Sequence, residues 1–141
     1  MKGRKVIVGV TGGIAAYKTA ELVRLLVKEG AVTRVAMTFH ATKFITPLTL
    51  ETLSGNRVVA EMWGPETHPL DHITWGQESE LIIVAPATAN FIGKMAHGIA
   101  DDFLSTLVIA ATAKVLVCPS MNTQMYVSQA VQANLGILKA R

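Results

Sequence analysis

A glycine-rich turn near the N-terminus has the composition of an anion-binding loop. Thr11, Gly12, Gly13 and Ile14 follow a short β-branched run and precede a helical pattern. Backbone amides at a helix N-terminus attract anions, and glycine lets a phosphate approach the main chain. The turn is not a P-loop, because Tyr17 stands where that loop needs a glycine. The sequence therefore predicts phosphate binding, with a tight turn that binds nothing as the alternative.

A second loop, residues 85–90, combines small and polar side chains after a very apolar run. Its small residues leave room for a flat ligand, and its Thr and Asn could hydrogen-bond the edge of that ligand. The alternative is an ordinary helix cap at the Thr. The candidate binding residues of this loop are Ala87, Thr88, Ala89 and Asn90.

A third loop, residues 119–126, follows the last apolar run and carries an amide between two methionines. Asn122 could donate to a carboxylate, and Met121 and Met125 are one helical turn apart and could line a pocket. The alternative is a helix capped by Asn122 with two methionines in the core.

One histidine is placed where it could transfer a proton. His72 lies early in a predicted helix, and histidine is the side chain best suited to proton transfer near neutral pH. A structural or solvated histidine is the alternative. His68 and His72 are four residues apart, but Pro69 between them argues against a shared helical face. No metal site is therefore predicted. The neighbouring acids Asp101 and Asp102 are expected to cap a helix.

Alternating apolar and amphipathic runs predict the elements that position these residues. Strands are expected at residues 6–10, 32–38, 56–61, 81–84 and 115–118. Helices are expected at residues 14–30, 42–54, 70–80, 88–97, 101–113 and 123–138. Strands buried on both faces belong to a parallel sheet covered by helices. The fold class is therefore α/β, a three-layer sandwich with a mostly parallel, Rossmann-like or flavodoxin-like sheet.

Ligands of such sheets bind beyond the carboxyl ends of the strands. This rule selects the three loops above together with residues 38–42, where Thr38 and His40 could add donors for the phosphate. We expect all four loops to meet at one end of the sheet.

Composition narrows the class of protein. The 141 residues suffice for one domain, and only 16% are charged, against about 25% in ordinary globular chains. This shortage suggests that part of the surface is buried against a partner. The single Cys118 excludes an internal disulfide framework, and no apolar run reaches the ~18 residues of a membrane span. The basic residues behind the net charge of +3 are scattered along the chain, so neither nucleic acid nor membrane is an expected partner. We expect a cytoplasmic protein.

Together these motifs resemble one family, the homo-oligomeric flavin-containing cysteine decarboxylases. The matching segments cover essentially the whole chain and are residues 9–18, 44–49, 71–73, 85–90, 97–102 and 119–125. The resemblance implies one FMN-binding domain over residues 1–141. The branch that acts in coenzyme A biosynthesis matches best, and it implies that a small phosphorylated substrate, phosphopantothenoylcysteine, is decarboxylated to phosphopantetheine.

The resemblance also implies roles for individual residues. The FMN phosphate would lie on the turn of Gly12 to Ile14, with the ring against Thr88, Ala89 and Asn90. His72 would be the active-site histidine, and Asn122 would hold the substrate carboxylate. The family forms homotrimers with FMN at subunit interfaces, and often dodecamers of trimers. A flavin is needed because the carbanion left by carbon dioxide has no electron sink until the carbon–sulfur group is oxidised.

The sequence departs from the family in three places. Tyr126 and Ser120 replace a usual Trp and a common Ala. The family's substrate-covering flap, which carries a cysteine, has no counterpart here, and Cys118 is expected to be a buried thiol. Three alternatives stay open: decarboxylation of a peptide's C-terminal cysteine, flavin prenyl transfer, and a non-catalytic flavin-binding regulatory subunit. The His-Ile and Pro-x-Met-Asn motifs argue against prenyl transfer.

Overall fold

The computed structural model describes residues 1–65 and 67–141, and its centre is one parallel sheet. Within these residues the strands are β1 (Lys5–Val10), β2 (Val32–Met37), β3 (Val58–Val59), β4 (Leu81–Ala87) and β5 (Lys114–Pro119). Their order across the sheet is β3-β2-β1-β4-β5, and every neighbouring pair is parallel. The predicted α/β fold class is confirmed.

Helices connect these strands and cover both faces of the sheet. They are α1 (Ala16–Lys28), α2 (Pro47–Ser54), α3 (Asp71–Glu78), α4 (Ala89–His97), α5 (Phe103–Ala110), α6 (Thr123–Val127) and α7 (Gln129–Ala140), with a short 3-10 helix at Ala41–Lys43. Among the described residues no helix is long and apolar enough to cross a membrane.

Alternation along β1 divides the core into two layers. Val6, Val8 and Val10 point toward α1 and α2, whereas Ile7 points toward α3, α4, α5 and α7. Side chains on opposite faces of a strand alternate with a period of two, so one β-branched run supplies both layers. Gly9 is needed in this run because a Cβ there would lie 2.8 Å from Leu104 Cδ1 on α5.

The predicted C-terminal helix over residues 123–138 is wrong, since two helices occupy this stretch. Ser128 separates them: its hydroxyl donates to the Met125 carbonyl oxygen at 2.8 Å and accepts from the Val131 N–H at 3.4 Å. A serine at an N-cap offers the backbone this alternative to a continuous helix. The break lets α6 form the second half of the third loop while α7 packs on α4.

Two expectations about burial are also wrong. The strand predicted over residues 115–118 is not buried on both faces, because β5 is the sheet edge and Leu116 is 52% exposed. Cys118 is half-buried rather than buried.

The other differences concern the ends of elements. β4 continues through Pro86 to Ala87 instead of ending at Val84, and β3 has only two residues. The helix expected over 101–113 ends at Ala110.

Candidate functional site

A cleft of about 720 Å³ opens at the carboxyl ends of β1 and β4. The chain goes from β1 to β2 and β3 on one side of β1, and then crosses to β4 and β5 on the other side. The boundary between β1 and β4 is therefore the point where the strand order reverses. Open α/β sheets bind ligands at such switch points. All four loops selected from the sequence contribute to the wall of this cleft.

The glycine-rich turn forms one end of the cleft in close contact with the loop after β2. A Cβ on Gly12 would lie 2.3 Å from His40 Cβ and 2.9 Å from the His40 carbonyl carbon, so only glycine fits. The backbone N–H groups of Gly12, Ile14 and Ala15 donate to no acceptor in the described part of the chain. Three free donors before α1 give this end of the cleft the features of an anion site.

Thr11 joins the turn to the loop after β4, a role that the sequence analysis did not assign. Its buried hydroxyl donates to the Pro86 carbonyl oxygen at 2.6 Å and accepts from the Thr88 N–H at 3.0 Å. The side chain of Thr11 thus links the two segments, together with its backbone N–H, which donates to the same Pro86 oxygen at 3.3 Å. A threonine placed directly between a buried strand and a Gly-Gly pair is the signal that could have suggested it.

The loop after β4 both caps a helix and forms a wall of the cleft. Thr88 accepts from the Phe91 N–H at 3.3 Å and so caps α4, while Thr88, Ala89 and Asn90 all line the cleft. Thr88 therefore serves as the helix cap, which was the alternative to a binding loop, and also lines the cleft. Ala87 differs from its neighbours because it is fully buried in β4 and does not line the cleft.

Asn122 lies opposite, with its amide oriented by a helix cap. Its Oδ1 accepts from the Gln124 N–H at 2.8 Å, which leaves the Nδ2 hydrogens as donors. Met121 and Met125 line the cleft on either side of it. A free amide donor between two apolar side chains can bind a carboxylate while water is displaced around it.

An ion-paired lysine that the sequence analysis missed completes the wall. Lys94 on α4 donates to Asp101 at 2.7 Å and to Asp102 at 3.3 Å, and its side chain is 18% exposed. Burial lowers the pKa of Lys94, but the hydrogen bond to Asp101 and the charge of Asp102 outweigh burial and raise that pKa above its ordinary value. Asp102 also caps α5 through the Ser105 N–H, as expected from the sequence.

His72 lies outside the cleft of its own chain. It sits on the first turn of α3, half-buried, and is absent from the residues that line the cleft. Within residues 1–65 and 67–141 the His72 ring forms no hydrogen bond. Among the same residues, no group of three or more His, Cys, Asp or Glu side chains could hold a metal ion. The structure therefore brings the candidate binding residues together, apart from Ala87, and leaves His72 separate.

Comparison with known proteins identifies the class of protein that this fold and cleft define. The chain belongs to the Flavoprotein family, whose model matches residues 1–141. It is 48% identical to the coenzyme A biosynthesis bifunctional protein CoaBC of Escherichia coli K12 over 142 aligned residues. That alignment covers all of this chain and 35% of the relative, so the chain spans about a third of the relative's length.

Solved structures agree with this assignment. The FMN-dependent cysteine decarboxylase SpaF superposes with a TM-score of 0.90 and 31% identity, covering 97% of this chain and 79% of SpaF. A PPC decarboxylase mutant complexed with pantothenoylaminoethenethiol superposes with a TM-score of 0.83 and 26% identity, covering 99% of this chain and 79% of that one. The predicted resemblance to flavin-containing cysteine decarboxylases is confirmed.

Proposed function

We propose that residues 1–141 form a single flavin-binding domain that uses FMN to decarboxylate phosphopantothenoylcysteine. The observation that carries this proposal is the 48% identity to CoaBC of Escherichia coli along the whole chain. The cleft supports it, because its volume lies within the ~300–1,000 Å³ of typical small-molecule sites. A flavin follows from the family, and FMN is the finer part of the proposal.

The residues present fit FMN. The N–H groups of Gly12 and Ile14, both lining the cleft, would donate to a terminal phosphate, and Thr38 and His40 stand on the neighbouring loop. The loop of Thr88 to Asn90, packed against buried Ala87, would contact the ring. When bound, FMN supplies a reversible two-electron oxidation of the substrate's carbon–sulfur group, which gives the carbanion left by carbon dioxide an electron sink.

Asn122 would hold the substrate through its carboxylate. Its Nδ2 hydrogens are free to donate because the cap on α6 occupies Oδ1. Met121 and Met125 would exclude water from the carboxylate, and a less hydrated carboxylate loses carbon dioxide more readily. The proposed substrate is therefore oriented with its carboxylate at Asn122 and its sulfur toward the ring.

The proton-transfer role of His72 requires a second copy of the chain. His72 does not line the cleft of its own chain, and the family resemblance implies homotrimers with FMN at subunit interfaces. Exposed apolar side chains beside the cleft, Ile14, Tyr17 and Phe39, support burial against another copy. We therefore propose that His72 of one subunit serves the cleft of its neighbour.

Turnover with purified protein tests the proposed activity. Phosphopantothenoylcysteine should lose carbon dioxide in the presence of FMN, and a peptide that ends in cysteine should react much more slowly. Faster turnover of the peptide would favour the peptidyl-cysteine alternative. Tight FMN binding with no turnover of either compound would favour a regulatory flavin-binding subunit.

Co-expression of two inactive variants tests the shared site. His72→Asn and Asn122→Asp should each be inactive alone, whereas mixed oligomers should regain part of the activity, because some clefts combine an intact Asn122 with an intact His72 from a neighbour. A mixture as inactive as its components would place both residues in one subunit's site.

A further inference from the structure

An ion pair between an exposed arginine and a buried carboxylate anchors the start of the helix that carries His72. Arg57, just before β3, donates through Nη2 to Oδ2 of Asp71, the first residue of α3. The same Oδ2 accepts from the His68 N–H at 2.8 Å. Asp71 is 9% exposed. The Asp71 carboxylate thus links three segments: the residues just before α3, the first turn of α3, and the residue that precedes β3.

An aromatic ring extends this contact into the core. Trp75, one turn after Asp71, lies with its ring centroid 5.5 Å from the Arg57 guanidinium carbon. Its other neighbours are Arg34, whose guanidinium carbon is 5.2 Å from the centroid, and Phe103, packed edge-on at 5.5 Å. Arg57 therefore holds α3 at two successive turns, through charge at Asp71 and through stacking at Trp75.

The His72 ring forms no hydrogen bond among the described residues. Its placement therefore depends largely on the backbone of the first turn of α3. That turn has no side-chain cap, because Leu70 occupies the N-cap position. The side-chain hydrogen bonds of Asp71 therefore supplement the backbone bonds that the Ile73 and Thr74 N–H groups donate to the Leu70 carbonyl oxygen, and they oppose fraying of the turn.

We infer that Arg57 and Asp71 are positioning residues for His72, an inference that rests on the proposed function. The pair holds the first turn of α3 in one conformation, so the imidazole is presented to the neighbouring subunit at a fixed place. Proton transfer is sensitive to such placement, and a displacement of about 1 Å can lower a rate by about 100-fold. Loss of the pair should therefore slow the proton-transfer step and leave cofactor and substrate binding, which belong to the cleft, unchanged.

Steady-state kinetics of matched variants test this inference. Asp71→Asn and Arg57→Ala should each lower kcat by about 10–100-fold with KM and bound FMN unchanged. Arg57→Lys, which keeps the charge next to Asp71, should restore much of kcat. Arg34→Ala is the control, because Arg34 also contacts α3, by stacking on Trp75 and by an ion pair with Glu78 in its last turn, but does not touch Asp71. It should keep the wild-type kcat.

Hydrogen exchange gives a readout that needs neither cofactor nor substrate. Backbone amides of residues 71–74 should exchange faster in Asp71→Asn and Arg57→Ala, and at the wild-type rate in Arg34→Ala. If Asp71→Asn does not fold, the comparison of Arg57→Ala with Arg57→Lys decides the question alone.

The outcomes separate this inference from the proposed function. A wild-type kcat in Asp71→Asn and Arg57→Ala, beside an inactive His72→Asn, would overturn the positioning role only. Equal losses of kcat in Arg34→Ala and Arg57→Ala would also overturn it, because the effect would then follow from stacking on Trp75. An active His72→Asn would overturn both the proposed proton transfer and the positioning role.

Discussion

Replacing Gly12 by alanine should separate the two loops that form the anion end of the cleft. The added Cβ would lie 2.3 Å from His40 Cβ, whereas carbon atoms pack best about 3.5–4.0 Å apart. The loops must therefore move by roughly 1 Å. Overpacking of this kind costs about 1–3 kcal/mol, which corresponds to a fall in Tm of roughly 4–12 °C for a chain of this size.

The same displacement should weaken FMN binding. Each charge-assisted hydrogen bond contributes about 1.5–3 kcal/mol, so losing one from the Gly12–Ala15 turn should raise Kd by about 10–100-fold. Thermal unfolding of the protein without cofactor and flavin fluorescence titration measure the two effects separately. Gly13→Ala is the matched control for the thermal unfolding, because its Cβ would meet Thr88 Cγ2 at an ordinary 3.5 Å. A Gly12→Ala variant that unfolds and binds FMN like the wild type would refute the close contact.

Three further substitutions follow from the structure. Thr11→Val removes the hydroxyl that joins Pro86 to Thr88 and should lower the free energy of unfolding by about 1–3 kcal/mol. Urea unfolding measures this loss, and Thr19→Val, which removes the hydroxyl that joins α1 to β4, is the variant for comparison. Asn122→Asp should retain FMN but lower kcat/KM by at least about 100-fold, because a like charge then faces the substrate carboxylate; equal turnover would remove Asn122 from the substrate site. Burial raises the pKa of Asp71, but hydrogen bonds from Arg57 and the His68 N–H outweigh it and hold that pKa below its usual value. The ionised carboxylate therefore stabilises the fold above about pH 4 and loses this effect as the pH falls further. The stability difference between wild type and Asp71→Asn should accordingly shrink between about pH 4 and pH 2, and a constant difference would contradict it.

Local sequence patterns were enough to predict the sheet and the loops that meet at its end. Short β-branched runs that end at glycines, such as residues 6–10, favour buried strands, and the carboxyl ends of parallel strands lie on the same side of a sheet. The adjacent loops therefore had to converge. The sequence could not predict the burial of β5, because that depends on which strand lies at the sheet edge.

Contacts between distant residues could not be predicted either. Lys94 pairs with Asp101 and Asp102 only because α4 and the start of α5 fold back on one another. The position of His72 outside the cleft is a consequence of α3 packing against α5. A pattern along the chain places a histidine on a helix, but it does not say which cleft that helix faces.

Anaerobic incubation of the purified FMN-loaded protein with phosphopantothenoylcysteine tests the central claim most directly. While the absorbance of the oxidised flavin falls, mass spectrometry should detect a product that has lost carbon dioxide and two hydrogens, because the flavin has taken two electrons from the substrate. Where the reduced flavin returns these electrons, its absorbance should recover and the product should be lighter than the substrate by carbon dioxide alone. His72→Asn should retain the flavin and give neither change. Unaltered substrate and an unchanged flavin spectrum with the wild-type protein would contradict the proposed decarboxylase function.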